Sequence, residues 1–439
     1  MIRLVVAFAL SMALSLTAAT VRAEIDIQEV TSPGGIEAWL VEERSIPFVA
    51  IEIVFDGGAS VEDPAKRGVT NLMMALLEEG SGDLDARAFQ EAREGLAASF
   101  GFDAGDDTVT VSAQFLTENK DEAVALLRQA LVQPRFDDDA VERVRAQVLS
   151  NIRSDANNPN RIASAAFDAA AFGGHPYGSS LNGTAETVAS ITRDDLIAAH
   201  RDALTRGRVY VGAAGDMSAE DLGAMLDDLL AALPEDGPEI PERVDFGLEG
   251  GLTVVPFDTP QSVALFGHAG IKRDADDFFA AYLLNEILGG SGLESRLMHE
   301  VREKRGLTYG VYSYLVPKDL SEMYLGSVAS ANDRIAETIS VVRDQWALMA
   351  DEGVTAEELA QAKTYLTGAY PLRFDGNAEI AGILVGMQSI GLPTEYVANR
   401  NDYINAVTLD DVNRVASELL DPEGLHFVVV GQPAGLETQ

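Results

Sequence analysis

The imidazoles of this chain are His175, His200, His268, His299 and His426, five among 439 residues. A hydrolytic zinc needs about three protein ligands and a bound water, and imidazole and carboxylate side chains supply them. No two of these histidines lie three or four residues apart, so no single helix presents a pair. Cysteine is absent, which excludes thiolate sites, disulfides and lipid attachment through sulfur. No Gly-x-Ser-x-Gly stretch occurs, so a nucleophile elbow is missing too. By residue type alone the chain lacks an obvious catalytic centre. Only a site assembled from scattered histidines stays open.

The elements that would position a site repeat themselves. The first half runs IEAWLVEE, then FVAIEIVFDGG, then a helix-like stretch from about Gly68 that closes in Gly80-Ser81-Gly82. The second runs GLTVVPFDT, then SVALFGHAG, then FFAAYLLNEILGG closing in Gly290-Ser291-Gly292, an offset of 210 residues. Each half ends in an apolar strand closing on glycine, VYVGAAGD at 209–216 and HFVVVG at 426–431. A period of this length means duplicated domains rather than a solenoid. Strands that alternate and follow each other closely favour antiparallel sheets, and long amphipathic runs such as 121–133 and 137–158 favour helices packed on one face. The expected class is α+β, with two homologous domains at 24–235 and 249–439. Between them, ALPEDGPEIPERVDFGLEG at 232–250 carries three prolines and six acids and reads as an exposed linker, with 236–248 at its centre.

The formal net charge is −38, which argues against nucleic acid or anionic membranes as partners and favours encounter with basic ligands. The N-terminus, MIRLVVAFALSMALSLTAATVRA, joins Arg3 to a short apolar run and a small-x-small site at Val21-Arg22-Ala23. Residues 1–23 therefore read as a secretory signal peptide, and the expected location is periplasmic. No later segment is long and apolar enough to span a bilayer.

Several stretches, in their order, resemble the pitrilysin/insulinase family of zinc peptidases, in its processing-peptidase-like branch. They are FDGGASVEDPAKRGVTNLMMALLEEGSG, HPYG at 175–178 with Gly183-Thr184, ITRDDL at 191–196, GAAGD at 212–216 and VREKRGLTYGVYSYL at 301–315. The resemblance covers essentially the whole chain after the signal peptide. The family's metal helix carries His-x-x-Glu-His, in which two histidines one turn apart hold zinc and the glutamate activates water. Aligned on Gly68, the histidine positions fall on Asn71 and Ala75, the glutamate on Met74, and a later glutamate ligand on Asn151. Amides are poor zinc ligands without an imidazole partner, and a thioether cannot take a proton. The resemblance therefore implies no catalytic zinc in this chain, and no cofactor of its own.

In the family, the half without zinc contributes an Arg and a Tyr seven residues apart that reach the substrate. The resemblance places them at Arg302 and Tyr309, with Arg305 as a rival for the Arg. A guanidinium fork and a phenol can both donate to a scissile carbonyl and its developing oxyanion. Peptides also need a docking edge. The alternating run at 106–116 fits either such an edge or an interior strand. Some family members pair a zinc-bearing chain with one that lacks zinc and keeps Arg and Tyr. The resemblance thus implies a non-catalytic subunit, inactive alone, whose partner is a zinc-bearing homologue and whose ligands are peptides. The alternatives are a non-enzymatic scaffold of an envelope assembly and a metallopeptidase with displaced ligands.

Overall fold

The computed structural model describes residues 25–290 and 292–438, so the segment read as a signal peptide lies outside the described residues. The first half holds strands β1 (Gln28–Thr31), β2 (Glu37–Glu42), β3 (Phe48–Asp56), the short β4 (Gly80–Ser81) and β5 (Leu84–Asp85), β6 (Ser99–Ala104), β7 (Thr108–Leu116) and β8 (Val209–Gly215). Its helices are α1 (Val69–Leu76), α2 (Ala86–Gly95), α3 (Lys120–Val132), α4 (Asp138–Asp155), α5 (Pro159–Phe172), α6 (Ala185–Ser190), α7 (Arg193–Ala203) and α8 (Ala219–Leu230). The second half holds β9 (Gly251–Pro256), β10 (Gln261–Ala269), β11 (Val311–Pro317), β12 (Glu322–Ala331) and β13 (His426–Gly431). Its helices are α9 (Phe278–Gly289), α10 (Ile335–Glu352), α11 (Ala356–Ala369), α12 (Asn377–Ser389), α13 (Tyr396–Ala406) and α14 (Leu409–Leu419).

The duplication is visible in the strand order. The first sheet runs β1-β2-β8-β3-β7-β6 and the second, taken in the same sense, β9-β13-β10-β12-β11. Apart from β1 the two orders are equivalent, and both halves are α+β as expected. The pairing differs from the expectation in one respect. Strands joined by short connections, β2 with β3 and β9 with β10, are not neighbours, because the last strand of each half is inserted between them. That late strand runs parallel to β2, with Trp39 opposite Gly212, or to β9, with Val428 opposite Thr253. It returns only after a long helical excursion, and parallel pairing requires such a crossover.

Alternation in β3 sends Ile51, Ile53 and Phe55 into the core under the helices of the first half, where all three are almost fully buried. Part of the opposite face is covered from the other half. Helix α12 of the second half lies on β8, β3 and β2, with Ile380 and Leu384 packed against Val41 and Ala214. Close approach there needs a strand without bulk, since a Cβ at Gly212 would stand 2.3 Å from the Ala381 carbonyl oxygen. Reciprocally, α5 of the first half lies on β10 and β13, with Ala163, Phe167 and Ala171 against Val263, Leu265, Val428 and Val430. Each half therefore lends one helix to the other's sheet.

Two local expectations change. The junction at 232–250 is not simply an exposed linker. Its acids face solvent, but Val244, Phe246 and Leu248 dip alternately against the second sheet, and Val244 N–H donates to the Leu320 carbonyl at 2.9 Å. Its apolar residues, interleaved with acids, have an exposed sheet face to cover. The run at 106–116 is an interior strand, since β7 pairs with β3 on one side and β6 on the other. The free edge belongs to β6.

Phe167 is fully buried, and its ring centroid lies 5.9 Å from that of Phe246. Phe167→Ala is expected to cost about 3–5 kcal/mol, read as the shift of a urea unfolding curve. A loss below ~1 kcal/mol would mean that this contact does not hold the halves together.

Candidate functional site

Helix α1 begins where two backbone segments nearly touch. Gly68 precedes it with φ +98°, and a Cβ there would stand 2.7 Å from the Asn182 carbonyl oxygen. The orphan N–H groups at the helix start are taken by Glu62, whose carboxylate accepts from Gly68 at 3.0 Å and Thr70 at 2.5 Å. Burial pushes the Glu62 pKa up, against the pull of those N–H donors and of Arg67. The buried Arg67 guanidinium donates to Glu62 at 3.2 Å, to Asp106 at 3.1 Å, and to the carbonyls of Pro176 at 3.2 Å and Ser179 at 3.1 Å. A buried, multiply bonded Arg locks this corner against the HPYG turn.

On the helix itself, Asn71 is half-buried and its amide donates to Asn182 Oδ1 at 3.1 Å. Asn182 in turn faces Asp155 at 3.4 Å. Met74 is fully buried in the core, and Ala75 is half-buried with only a methyl to offer. Asn151 is exposed on α4 and accepts from Gln147 at 3.0 Å. The helix keeps three of the aligned positions on one face, while Asn151 is bonded elsewhere. This donor set does not fit zinc: it offers two engaged amides, a thioether turned into the core and no imidazole. The histidines do not gather into an alternative. His268 accepts from Trp346 Nε1–H at 3.0 Å, His200 lies 2.8 Å from the Leu131 carbonyl, and His426 sits 2.9 Å from Thr253 Oγ1. His175 accepts the Tyr177 N–H at 3.2 Å, and His299 faces Glu303 at 3.0 Å. Among the described residues no three His, Cys, Asp or Glu side chains are grouped to hold an ion.

Arg302 and Tyr309 lie around one chain reversal. Residues Met298–Glu303 form a single π-helical turn, with Lys304 N–H donating to the His299 carbonyl at 2.9 Å. Such turns are frequent at functional sites. Gly306 ends it at φ +60°, and Leu307 N–H closes back on the Val301 carbonyl at 3.0 Å, a left-handed helix stop. Thr308 Oγ1 then donates to the Ala329 carbonyl at 2.6 Å and accepts from Gly310 N–H at 3.1 Å, which holds Tyr309 outward at 86% exposure. Arg305 is held back, donating to the Glu300 carboxylate and carbonyl, both at 2.7 Å. Arg302 is exposed and forms no hydrogen bond or ion pair through its guanidinium among the described residues.

Two family models match the chain. One described as "Insulinase (Peptidase family M16)" matches residues 39–185, and one described as "Peptidase M16 inactive domain" matches residues 190–366. A crystal structure of a peptidase M16 inactive domain from Pseudomonas fluorescens is similar, with TM-score 0.87 and 30% identity, over 94% of this chain and 99% of that one. The chain belongs to the M16 insulinase family. Among proteins, it is 25% identical to the "Non-peptidase homolog YmxG" of Helicobacter pylori, over 89% of this chain and 90% of that protein. It is 26% identical to the "Uncharacterized zinc protease YmxG" of Bacillus subtilis, over 90% of this chain and 95% of that protein. Asn71, Met74, Ala75 and Asn151, to which the resemblance assigned the zinc-motif positions, lie on α1 and α4 of this M16 chain.

Sequence reading missed a second group, between the two halves of this M16 chain. Asp106 accepts from Arg67 of the first half and, at 2.5 Å, from Lys318 of the second. Lys318 Nζ also sits 3.6 Å from the Tyr177 ring centroid. The Tyr177 hydroxyl donates to Asp107 and accepts from Leu320 N–H at 3.1 Å, so one phenol ties the HPYG turn to the second sheet. The signal was the Tyr in HPYG followed far downstream by a lone Lys318, and only the fold joins them. Beside it lies an acidic face. Burial, then the neighbouring Asp103, raises Glu52 to about 7, and burial, then Asp319, raises Asp56 to about 6. Burial raises Asp168 to about 6, opposed by Lys318.

Two outcomes follow from this geometry. Metal analysis of the purified chain is expected to give zinc well below one per chain, and a tightly held stoichiometric zinc would overturn the account of α1. Because the folded pKa of Glu52 lies above the unfolded value, its burial cost is absent below about pH 4, grows through the rise to about 7 and is complete above it. Glu52→Gln is therefore expected to raise the urea midpoint at pH 8, with the gain shrinking toward zero as the pH approaches 4. A pH-independent difference would contradict the raised pKa.

Proposed function

We propose that this chain is a non-catalytic M16 subunit that completes the peptide cavity of a zinc-bearing homologue. The observation that carries the reading is the chain reversal at 298–310. It presents the Arg302 and Tyr309 side chains to solvent with no side-chain hydrogen bond among the described residues, while α1 has no donor set for zinc. An exposed guanidinium and phenol held on a rigid stop have donors to spare for a peptide carbonyl brought by a partner.

On this reading, peptide is held as an added strand on the free edge of β6, whose Asp103 stands beside Glu52. The acidic face of Glu52, Asp56, Asp107 and Asp319 favours peptides with basic side chains. Export through residues 1–23 would put the complex in the periplasm, and zinc would reside in the partner alone. The name "Non-peptidase homolog" on a relative agrees with a chain that does not hydrolyse peptides by itself.

The test is reconstitution. The chain alone is expected to be inactive, and adding it to a zinc-bearing M16 homologue from the same organism is expected to raise peptide hydrolysis. In that mixture Arg302→Ala or Tyr309→Phe should lower the rate about 10–1000-fold, while Arg305→Ala should leave it within a few-fold. A partner no faster with this chain than without it would sink the proposal and favour a scaffold role.

A further inference from the structure

The second half contains a cavity of about 700 Å³ behind the crossing helix α12. One wall is α9 with Phe278, Phe279 and Tyr282, another is α13 with Tyr396, and Tyr370 forms the floor. The size is that of a small-ligand pocket, and the lining is mainly apolar and aromatic. Three arginines open onto it, Arg273, Arg373 and Arg400.

These arginines are unusual for this chain. Acids outnumber bases by 70 to 32, yet none of the three has a carboxylate within ion-pair distance among the described residues. Arg400 is only 5% exposed. Its Nη1 donates to the Leu366 carbonyl at 2.8 Å and to Asn401 at 3.2 Å, and its guanidinium carbon sits 4.5 Å from the Tyr370 ring centroid. Its Nε and Nη2 form no hydrogen bond among the described residues and are not sealed from the cavity. Arg273 lies 4.2 Å from the Phe278 ring centroid and donates to the Tyr396 hydroxyl at 3.2 Å. A buried guanidinium stacked on an aromatic ring, with donors left over, is costly unless an anion answers it. One acid, Glu379, also borders the cavity, so three positive charges meet one negative. That net positive lining favours an anionic ligand.

We infer that this cavity is a binding site for an organic monocarboxylate with an aryl or branched-alkyl body, its carboxylate on Arg400 and Arg273 and its body among the aromatic rings. This inference does not rest on the partner-subunit reading. Two sources share the chemistry, the C-terminal residue of a peptide and a free small acid. Arginine pairs carboxylates through parallel N–H donors, and the rings supply stacking area.

Gly386 lines the cavity on α12, and a Cβ there would meet nothing within 4 Å. Gly386→Phe therefore fills the space without disturbing the core and replaces a poor helix former. Calorimetric titration of the full chain would use N-acetyl-Ala-Phe, its C-terminal amide, 3-phenylpropionate and phenyl phosphate. The two acids are expected to bind, with the amide at least ten-fold weaker. Gly386→Phe should abolish binding at an unchanged thermal midpoint, and Arg273→Leu should weaken it at least ten-fold. Tighter binding of the peptide acid than of 3-phenylpropionate supports a site for peptide ends, and equal binding supports one for small acids. Acid and amide binding alike, phenyl phosphate binding in preference to the acids, undiminished binding in folded Gly386→Phe, or no binding of either acid would each overturn the inference.

Discussion

Each sheet in this protein buries one face under helices of its own half and leaves an apolar part of its other face to be covered from elsewhere. The remedy is reciprocal: α5 crosses to the second sheet and α12 to the first. Covering a buried aromatic such as Phe167 is worth about 1.5–3 kcal/mol against leaving it in water, and many smaller side chains add to it along both helices. Because each half completes the other, neither sheet is a finished core on its own. The two crossing helices stand about 220 residues apart, close to the offset of the repeat itself, so the exchange belongs to the duplicated plan.

The polar contacts between the halves are placed where that packing leaves room. Asp106 answers Arg67 from one half and Lys318 from the other, and Tyr177 spans the same gap through Asp107 and Leu320. Charges buried to this degree gain little net stability, since desolvation offsets most of the attraction, but their geometry admits few alternatives. They fix the angle at which the first sheet faces the second. Glu52, Asp56 and Asp168 are half-buried, and that burial raises their pKa values.

Within that frame α1 is a well-packed helix with no donor set for zinc. Helix α1 keeps its glycine entry, its buried glutamate at the N-terminus and its arginine anchor, all of which serve packing and not metal. Met74 fills core space and is fully buried. The chain reversal at 298–310 is the opposite case. Its π-turn, glycine stop and threonine bonds hold a tyrosine out in solvent, where packing gains nothing from it.

Much was determined by local sequence. Hydrophobic period and glycine placement mark the strands, the duplicated halves, α1 and the stop at Gly306, because each depends on residues a few positions apart. That no helix carries a histidine pair was legible for the same reason, since such a pair is a local pattern. What only tertiary structure decided concerns partners distant in the chain. The short β2–β3 connection suggested direct pairing, and a strand from more than a hundred residues later took that place. The run at 106–116 alternates as well as any edge strand, and it became interior because β6 covers it. Arg302 and Arg305, seven and four residues before Tyr309, were rivals in the sequence, and Glu300 separates them by holding Arg305. Period and propensity specify what an element is; which neighbour satisfies its backbone bonds and charges depends on the closure of long loops, which no short stretch of sequence records.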